Sequence, residues 1–511
     1  MGNIADKVPV LIAGAGPTGL TLAIDLARRG IPALIIDKDS KPSTASRGKA
    51  GIQPRSLEVF DDLGVVDEVV AAGTQRLPFR RFTRDRLVGE AIPYLHHAPT
   101  HDLPYRRLLF LPQSRVEQVL RDRLAALGGA VEAGVELVGF TRGADAVTAT
   151  LSTPTGLRSV TADYLVGCDG GRSTVRKALD LPFRGHTETD RRLLVGDVEV
   201  DGLEPDAWYQ WLDLDRGVVM LCPLSGTRSW QVQVTPPRDA DGNERGPSVE
   251  AFQAAVDHVT GMPIRLSNAT WLSTTRVNVR MVDRMRVGRV LLAGDAAHVH
   301  PVLGALGANT GIQDAYNLGW KLARALRDGP DCLALDSYER ERLPVAEWTL
   351  KTSVASRDLV LAAMLAGTGG AEAGLTEETL QLGLGYRDGP LSAQLVEAGA
   401  VRAGDRAPDS PCLDPAGRPL RLFDAQRGPH FTLFGFGPGS AAAVRAAADA
   451  GVADLRAHLV PDHPPAYGLT GDALVLVRPD GHVGLVGAPD DFAAVHDYLS
   501  GLSRETDRPN R

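Results

Sequence analysis

The feature that most restricts this chain lies near its N-terminus. Val8 to Ala13 form a short apolar run that ends in Gly14-Ala-Gly16-Pro-Thr-Gly19; a helical pattern follows to Arg29 and stops at Gly30. A second apolar run, Ala33 to Ile36, ends in Asp37. Strand, tight turn, helix and a strand closing in an acid make the dinucleotide fingerprint of a βαβ unit. Gly14 permits the turn, Gly16 lets the backbone approach a pyrophosphate and Gly19 lets helix and strand pack closely, while the helix N-terminus offers free N–H groups to phosphate oxygens. A lone GxGxxG is weak evidence, because Gly-rich turns also serve packing; here strand, spacing and acid agree. Asp37 can accept hydrogen bonds from a ribose diol, which favours FAD or NAD over NADP and leaves those two open. With 511 residues, 43% of them hydrophobic, the chain has room for roughly three domains.

Two later segments have the same strand-into-turn character. Ala162 to Gly167 runs into Cys168-Asp169-Gly170-Gly171-Arg172-Ser173-Thr174, with Ser173 placed to cap a helix through Val175, Ala178 and Leu179. Arg289 to Ala293 runs into Gly294-Asp295-Ala296-Ala297-His298 and Pro301, and a Gly-rich turn from Gly304 to Gly311 leads into a long helix through Leu318, Leu322 and Leu326. In order and separation these three motifs resemble the class A flavoprotein aromatic hydroxylases, the para-hydroxybenzoate hydroxylase family. Within it the likeness is to the polyketide-tailoring FAD-dependent monooxygenases with a C-terminal thioredoxin-like domain, and it spans essentially the whole chain.

The resemblance implies an α/β fold. A discontinuous Rossmann-like FAD-binding domain would comprise residues 1–180 and 276–400, with linking helices toward its end. An antiparallel β-sheet substrate domain, 181–275, would be inserted in it, and a thioredoxin-like domain, 401–511, would close the chain. FAD would be held by Gly14, Gly16, Pro17, Thr18, Gly19, Asp37 and Lys38 at one end, with Arg47 and Gln113 matching further contacts. Asp169 and Gly170 would lie near both FAD and a transient NADPH or NADH, Asp295 on the ribityl chain, and Pro301, Gly304, Gly307, Ala308 and Asn309 beside the ring. The positive end of the helix starting near Asn309 would face the flavin pyrimidine edge. Gln113 precedes an expected capping box, Ser114 and Glu117. One departure stands out: where the family reads Pro-Pro-x-Gly-Gly-Gln-Gly, this chain reads Pro301-Val302-Leu303-Gly304-Ala305-Leu306-Gly307, which makes the wall beside the flavin more apolar.

Between Leu193 and Met285 the pattern turns β-like, with alternation in Trp230-Gln-Val-Gln-Val234 and an apolar run from Val218 to Leu224. Trp211, Met220, Cys222, Trp230, Gln231 and Gln233 are candidates for lining a substrate cavity, the inward face being left open. Leu335 to Val345 matches a family helix that packs the domains together. The tail reads strand 431–434, helix 441–448, strand 455–460, a hairpin around Pro479-Asp480-Gly481 and a closing helix to Leu499, a unit separate from the rest. Gly435-Phe-Gly437-Pro-Gly439-Ser440 lacks the third glycine of a dinucleotide turn, and without a second intact fingerprint the chain offers no dedicated NADPH domain. No Cys occupies the tail's helix start, which argues against a redox role.

His298 and His300 have HxH spacing, yet only Asp295 lies at a distance suited to complete a metal shell, so no metal is expected. Cys168, Cys222, Cys332 and Cys412 are too far apart for a CxxC pair, a thiolate zinc site or a disulfide framework. The 63 acidic against 55 basic residues, with no Lys/Arg cluster, argue against nucleic acid as a partner. No apolar run reaches the length of a membrane span and the start lacks a signal-peptide pattern, so no membrane partner and a cytoplasmic location are expected, as monomer or homodimer.

The implied activity is NAD(P)H-consuming, O₂-dependent hydroxylation of an aromatic, phenolic, polycyclic polyketide-type molecule, as in antibiotic biosynthesis. It would run through a flavin C4a-hydroperoxide, with the cofactor carrying the chemistry and no catalytic side chain named. Baeyer–Villiger insertion, epoxidation or oxidative rearrangement by the same adduct is the alternative within enzymes. A flavin-binding protein that stabilises a pathway intermediate without oxygenation is the alternative from another class.

Overall fold

The computed structural model describes residues 5–42, 49–213, 215–301 and 303–504, with the backbone alone at 49, 50, 189–191, 276 and 303. Arg47 and Val302 lie outside the described residues. The fold is mixed α/β, organised on three large sheets with two two-stranded ones beside them among the described residues.

The first sheet has eight strands, and its main path runs Arg286–Val287, Val290–Leu292, Gly156–Gly167, Lys7–Ala13, Ala33–Asp37, Val131–Ala133. Lys7–Ala13 pairs in parallel with both Gly156–Gly167 and Ala33–Asp37, and Gly156–Gly167 in parallel with Val290–Leu292. Strands flanked on both faces by helices read as continuous apolar runs, and Val10, Leu11, Ile12, Leu165, Val166, Leu291 and Leu292 are buried accordingly. This register brings the C-terminal ends of three strands, and so the turns at Gly14, Cys168 and Ala293, to one edge.

The second sheet also has eight strands, in the order His298–Val299, Arg265–Met281, Arg184–Asp201, Ser229–Val234, Gly217–Pro223, Trp208–Asp213, Phe79–Thr83, Arg86–Ala91. It reaches beyond the expected 181–275 at both ends. Arg265–Met281 runs on past residue 275, and Phe79–Thr83 comes from far upstream to pair in parallel with Trp208–Asp213. A strand recruited across so long a separation leaves no local pattern to read. One face of this sheet is covered by the Val249–Thr260 helix, which Ser248 caps by accepting from the Ala251 N–H (3.2 Å) and which ends at Gly261.

The third sheet, of five strands, runs Ala393–Gln394, Val483–Gly487, Ala473–Val477, Phe431–Phe436, Leu455–Val460, with helices Ala441–Asp449 and Phe492–Gly501. It is not a detached unit. Leu433, Ala443, Leu474, Leu476, Leu485, Val495 and Leu499 belong to the same buried apolar cluster as Leu322 and Leu335 of the preceding helices. Helix Leu333–Leu365 ties the layers together. Its Tyr338 hydroxyl donates to the Leu292 carbonyl (2.8 Å), Glu339 accepts from the Met285 and Arg286 N–H groups, and Asp336 pairs with Arg286 at 2.6 Å.

Candidate active site

The N-terminal turn explains its own glycines. Gly14 has φ +103°, and a Cβ there would lie 2.3 Å from the Cys168 carbonyl oxygen; one on Gly19 would lie 2.0 Å from the Gly14 oxygen. Gly16 differs, because nothing approaches its Cβ position within 4 Å. Protein packing therefore requires glycine at 14 and 19, whereas at 16 it leaves open space in front of the helix that begins at Pro17. Asp37 stands beside this space, one oxygen accepting from the Ala15 N–H and the other from the Asp39 N–H, both at 2.9 Å. A small recess of about 40 Å³ here is lined by Ala15, Gly16, Asp37, Lys41, Glu117 and Arg121, among others. Lys38 is exposed and takes no part in it, Lys41 standing there instead. Gln113 is not at a capped corner either. The helix starts at Gln113 itself with no side-chain cap, so Ser114 lies inside the first turn and the Gln113 amide donates to Glu117 (2.9 Å).

Asp169 closes the second turn. One of its oxygens accepts from the N–H groups of Thr174 (2.7 Å) and Val175 (3.2 Å), while Ser173 accepts from the Arg176 N–H (2.9 Å), so the short helix Thr174–Ala178 is capped twice. The other Asp169 oxygen is buried without a hydrogen-bond partner. Gly170, next to it, takes a positive φ of +78°.

The third turn meets the first through Thr18, whose hydroxyl lies 2.7 Å from a Cβ built on Gly294 and 2.4 Å from one on Gly311. Asp295, on the short turn Gly294–Ala296, is open to solvent yet recessed among protein atoms, and the resulting desolvation raises its pKa against a lowering by His298. Behind it stands a buried hub that sequence reading did not find. Asp314 accepts from the Gly294 N–H (3.0 Å), from His298 (2.8 Å) and from Arg342 (2.6 Å). Arg342 also donates to the Tyr386 hydroxyl and the Thr310 carbonyl. Burial alone would raise the Asp314 carboxyl, but Arg342 and His298 hold it at about 2. An acid at helical spacing from Ile312, Ala315 and Leu318, which are buried, was the signal available. His298 is thus a fully buried structural partner; His300, its Nδ1 3.0 Å from both the Pro301 carbonyl and Ser353 Oγ, is brought down by burial to about 4.

The loop after buried Pro301 is clamped from behind. Asn309, in the first turn of the helix Gly307–Asp328, donates to the carbonyls of Gly51 (2.7 Å) and Ala305 (2.6 Å) and accepts from the Gln53 N–H (2.8 Å). The Gln53 side chain donates to the Gly304 carbonyl (2.7 Å) and keeps a buried, unpartnered oxygen. Gly304 and Ala305 take φ of +79° and +53°. A Cβ on Gly307 would sit 3.1 Å from the His300 ring, and Ala308 follows it half-buried. Gln53 was not among the residues read from sequence.

Beyond this loop lies one face of the second sheet. Met220 is paired with Gln233 and Cys222 with Gln231, and directly paired residues share a face. Met220 and Cys222 form an apolar cluster with Leu77, Phe79, Leu108, Phe110 and Ala371, against which Trp208 and Ala305 pack. The Gln233 amide donates to Gln231 (3.0 Å) on that face. Trp211 and Trp230 point the other way, into the core with Phe252 and Val256 of the covering helix, and Trp211 donates to the Arg84 carbonyl (2.7 Å). Period-two alternation decides this: the even positions of Gly217–Pro223 face the loop, the odd ones the helix.

Residues 7–353 match the FAD-binding domain family. The chain belongs to this family. It is 42% identical over 502 residues, 96% of its own length and 99% of the relative's, to a flavin-dependent monooxygenase of Mycobacteroides abscessus. It is 32% identical over 95% of its length and 96% of the relative's to a Streptomyces rimosus 12-dehydrotetracycline 5-monooxygenase/anhydrotetracycline 6-monooxygenase. Among solved structures, aklavinone-11 hydroxylase in complex with FAD and aklavinone superposes with a TM-score of 0.80 at 27% identity, covering 99% of this chain and 100% of that one. The chain is an FAD-dependent monooxygenase, and its site fits the cofactor: open space at Gly16, two backbone N–H groups turning Asp37 toward the recess, and orphaned buried oxygens on Asp169 and Gln53.

Proposed function

We propose that this protein hydroxylates a phenolic, polycyclic aromatic molecule of the polyketide type, with NAD(P)H as reductant and O₂ as co-substrate. The observation that carries the reading is the junction at Gly304–Asn309. There the loop packs Ala305 against a sheltered apolar cluster of Phe79, Phe110, Trp208, Met220 and Cys222, and Gln231 and Gln233 give the same face of the sheet an amide edge. Such a face suits a flat apolar ring system carrying a few hydroxyl or carbonyl groups. Relatives named for tetracycline intermediates and a neighbour named for aklavinone support that substrate class.

Bound FAD would supply hydride acceptance and O₂ activation. The chain's own residues bind, orient and exclude water. Gly14, Gly16, Thr18 and Asp37 would hold the adenosine and pyrophosphate, Asp295 the ribityl chain, and the Gly304–Asn309 loop with the start of the Gly307–Asp328 helix the ring, where the helix's positive end favours an electron-rich reduced form. Pro17, Gly170, Pro301, Gly307 and Ala308 would shape the backbone against it. The finer architecture we propose is a discontinuous Rossmann-like FAD-binding domain, an inserted substrate sheet and a thioredoxin-like C-terminal unit. Among the described residues no helix is long and apolar enough to cross a membrane, and four cysteines outside any disulfide suit a reducing compartment.

The test is a screen of the purified, FAD-loaded protein. Polycyclic phenols should stimulate NADPH or NADH oxidation with incorporation of one labelled oxygen atom from O₂ into a ring hydroxyl. Label found in a lactone or epoxide, or reductant oxidation that no phenol stimulates, would overturn the hydroxylase reading.

A further inference from the structure

Among the described residues of the Pro301–Gly307 loop, Ala305 is the one whose side chain packs against the apolar cluster of the sheet face. It does so from a left-handed backbone, φ +53°, directly after Gly304 at +79°. A Cβ makes that region costly, which is why glycine is the usual occupant, and glycine is what the family pattern has at this position. The conformation is nonetheless fixed from both sides: the Gly304 carbonyl accepts from Gln53, and the Ala305 carbonyl from Asn309. The methyl also has a space made for it. A Cβ built on Gly51 would lie 2.7 Å from the Ala305 Cβ, so position 51 tolerates this alanine only as glycine. Strain that is over-determined by its surroundings, at the junction of cofactor loop and substrate face, points to a positional role.

We propose that Ala305 is a specificity-determining residue, its methyl a fixed steric stop that limits how far an aromatic ring slides along the Phe110–Met220–Cys222 face toward the flavin. The inference rests on the hydroxylase reading and deepens it. The neighbours share the task unequally. Met220 and Leu108 have rotatable side chains that can change rotamer, whereas a methyl on a clamped backbone cannot. The stop therefore excludes a ring that carries an extra methyl on its leading edge while admitting the unsubstituted ring.

The experiment compares wild type with Ala305→Gly, a change that removes both atoms and strain. Binding of a dihydroxyanthraquinone and of its ring-methylated homologue is measured by perturbation of the bound flavin's absorbance, and melting midpoints are measured with and without FAD. Ala305→Gly is expected to shift the ratio of the two Kd values about 10-fold in favour of the methylated ring and to raise the midpoint. Gly51→Ala is expected to lower the midpoint, and the double variant to restore it. An unchanged Kd ratio in an Ala305→Gly protein that still holds FAD overturns the assignment. So does a Gly51→Ala protein as stable as wild type, since the methyl would then not stand where the stop requires it. A wild type that holds FAD but oxygenates no aromatic ring defeats the hydroxylase reading instead, and the two failures are separate.

Discussion

At the scale of single residues, the three glycines of the first turn illustrate how packing and function are told apart. Gly14 and Gly19 face backbone atoms at 2.3 and 2.0 Å from a hypothetical Cβ, whereas Gly16 faces nothing. Gly19→Ala should therefore lose the fold. Gly16→Ala should keep the apo melting midpoint and lose FAD affinity by about 10-fold, because one methyl then stands in the pyrophosphate's path; titration of apo protein with FAD measures it, and undiminished affinity would refute it. Asp314 is the residue-scale case for charge. Its carboxyl is held at about 2 against an ordinary 3.8, with burial opposed by Arg342 and His298. The folded chain thus refuses a proton that the unfolded chain accepts. The stabilisation is complete above pH ~4 and disappears as the pH falls toward 2, a loss of about 2 kcal/mol. His300 and His482, both pushed by burial to about 4, act in a higher window: the unfolded chain protonates first, so stability already declines from pH ~6.5 downward. Denaturant midpoints between pH 7 and 4 should fall steadily, and His300→Gln should make the slope shallower. A slope the same as wild type would show that His300 does not carry its share.

At the scale of elements, the helix Gly307–Asp328 does two jobs along its length. Its first turn, through Asn309, clamps the Gly304–Ala305 loop; two turns on, Asn317, Trp320 and Lys321 face the C-terminal unit. Lys321 reaches Glu341 at 2.6 Å, Arg478 pairs with Glu341 at 2.8 Å, and both Asn317 and Trp320 donate to Asp480. Burial would raise the Glu341 carboxyl, but Arg478 and Lys321 hold it at about 2. From sequence the Gly-rich turn and the helix through Leu318, Leu322 and Leu326 read as one element, and the division is not legible there, because the hairpin carrying Asp480 arrives from far down the chain. What was legible is what is local: the βαβ fingerprint, the Ser173 cap, the alternation in Ser229–Val234. The side of that sheet that meets the Gly304–Ala305 loop was not, since period two gives two equivalent faces until a covering helix is placed on one. Glu341→Gln should strand two buried cations on Asp480 and cost about 3–5 kcal/mol. Hydrogen exchange would then show lost protection in Ala473–Val477 and Val483–Gly487 with the Lys7–Ala13 strand still protected. Equal loss in all three would mean that the network serves the global fold and not this docking.

At the scale of the whole molecule, the tail read from sequence as a separate unit is built into the enzyme's core. On elements alone a separate unit follows, because strand, helix, strand, hairpin and helix form a self-consistent sheet. In the structure, Leu474, Leu476, Leu485, Val495 and Leu499 of this unit are buried and join Leu322 and Leu335 in one cluster. Around this cluster the contacts are charged and reach back to the N-terminal third: Arg406 on Glu58, Arg55 on the Asp480 carbonyl, Arg421 and Arg427 on Asp61, and the Gly428 N–H on Asp62. A boundary sealed by a shared apolar core and a rim of half-buried ion pairs behaves as an interior, not as a linker between domains. Removing residues 401–511 would expose Trp320, Lys321 and Glu341, of which the last two are fully buried ions, together with several leucines. The truncated chain should accumulate as insoluble protein and fail to take up FAD. The intact chain, for the same reason, should unfold as one cooperative step in the region of this interface: loss of bound flavin and loss of near-ultraviolet signal from Trp320 should coincide on heating. A tail that melts first, with FAD still bound and the remaining protein folded, would restore the picture of an independent appendage.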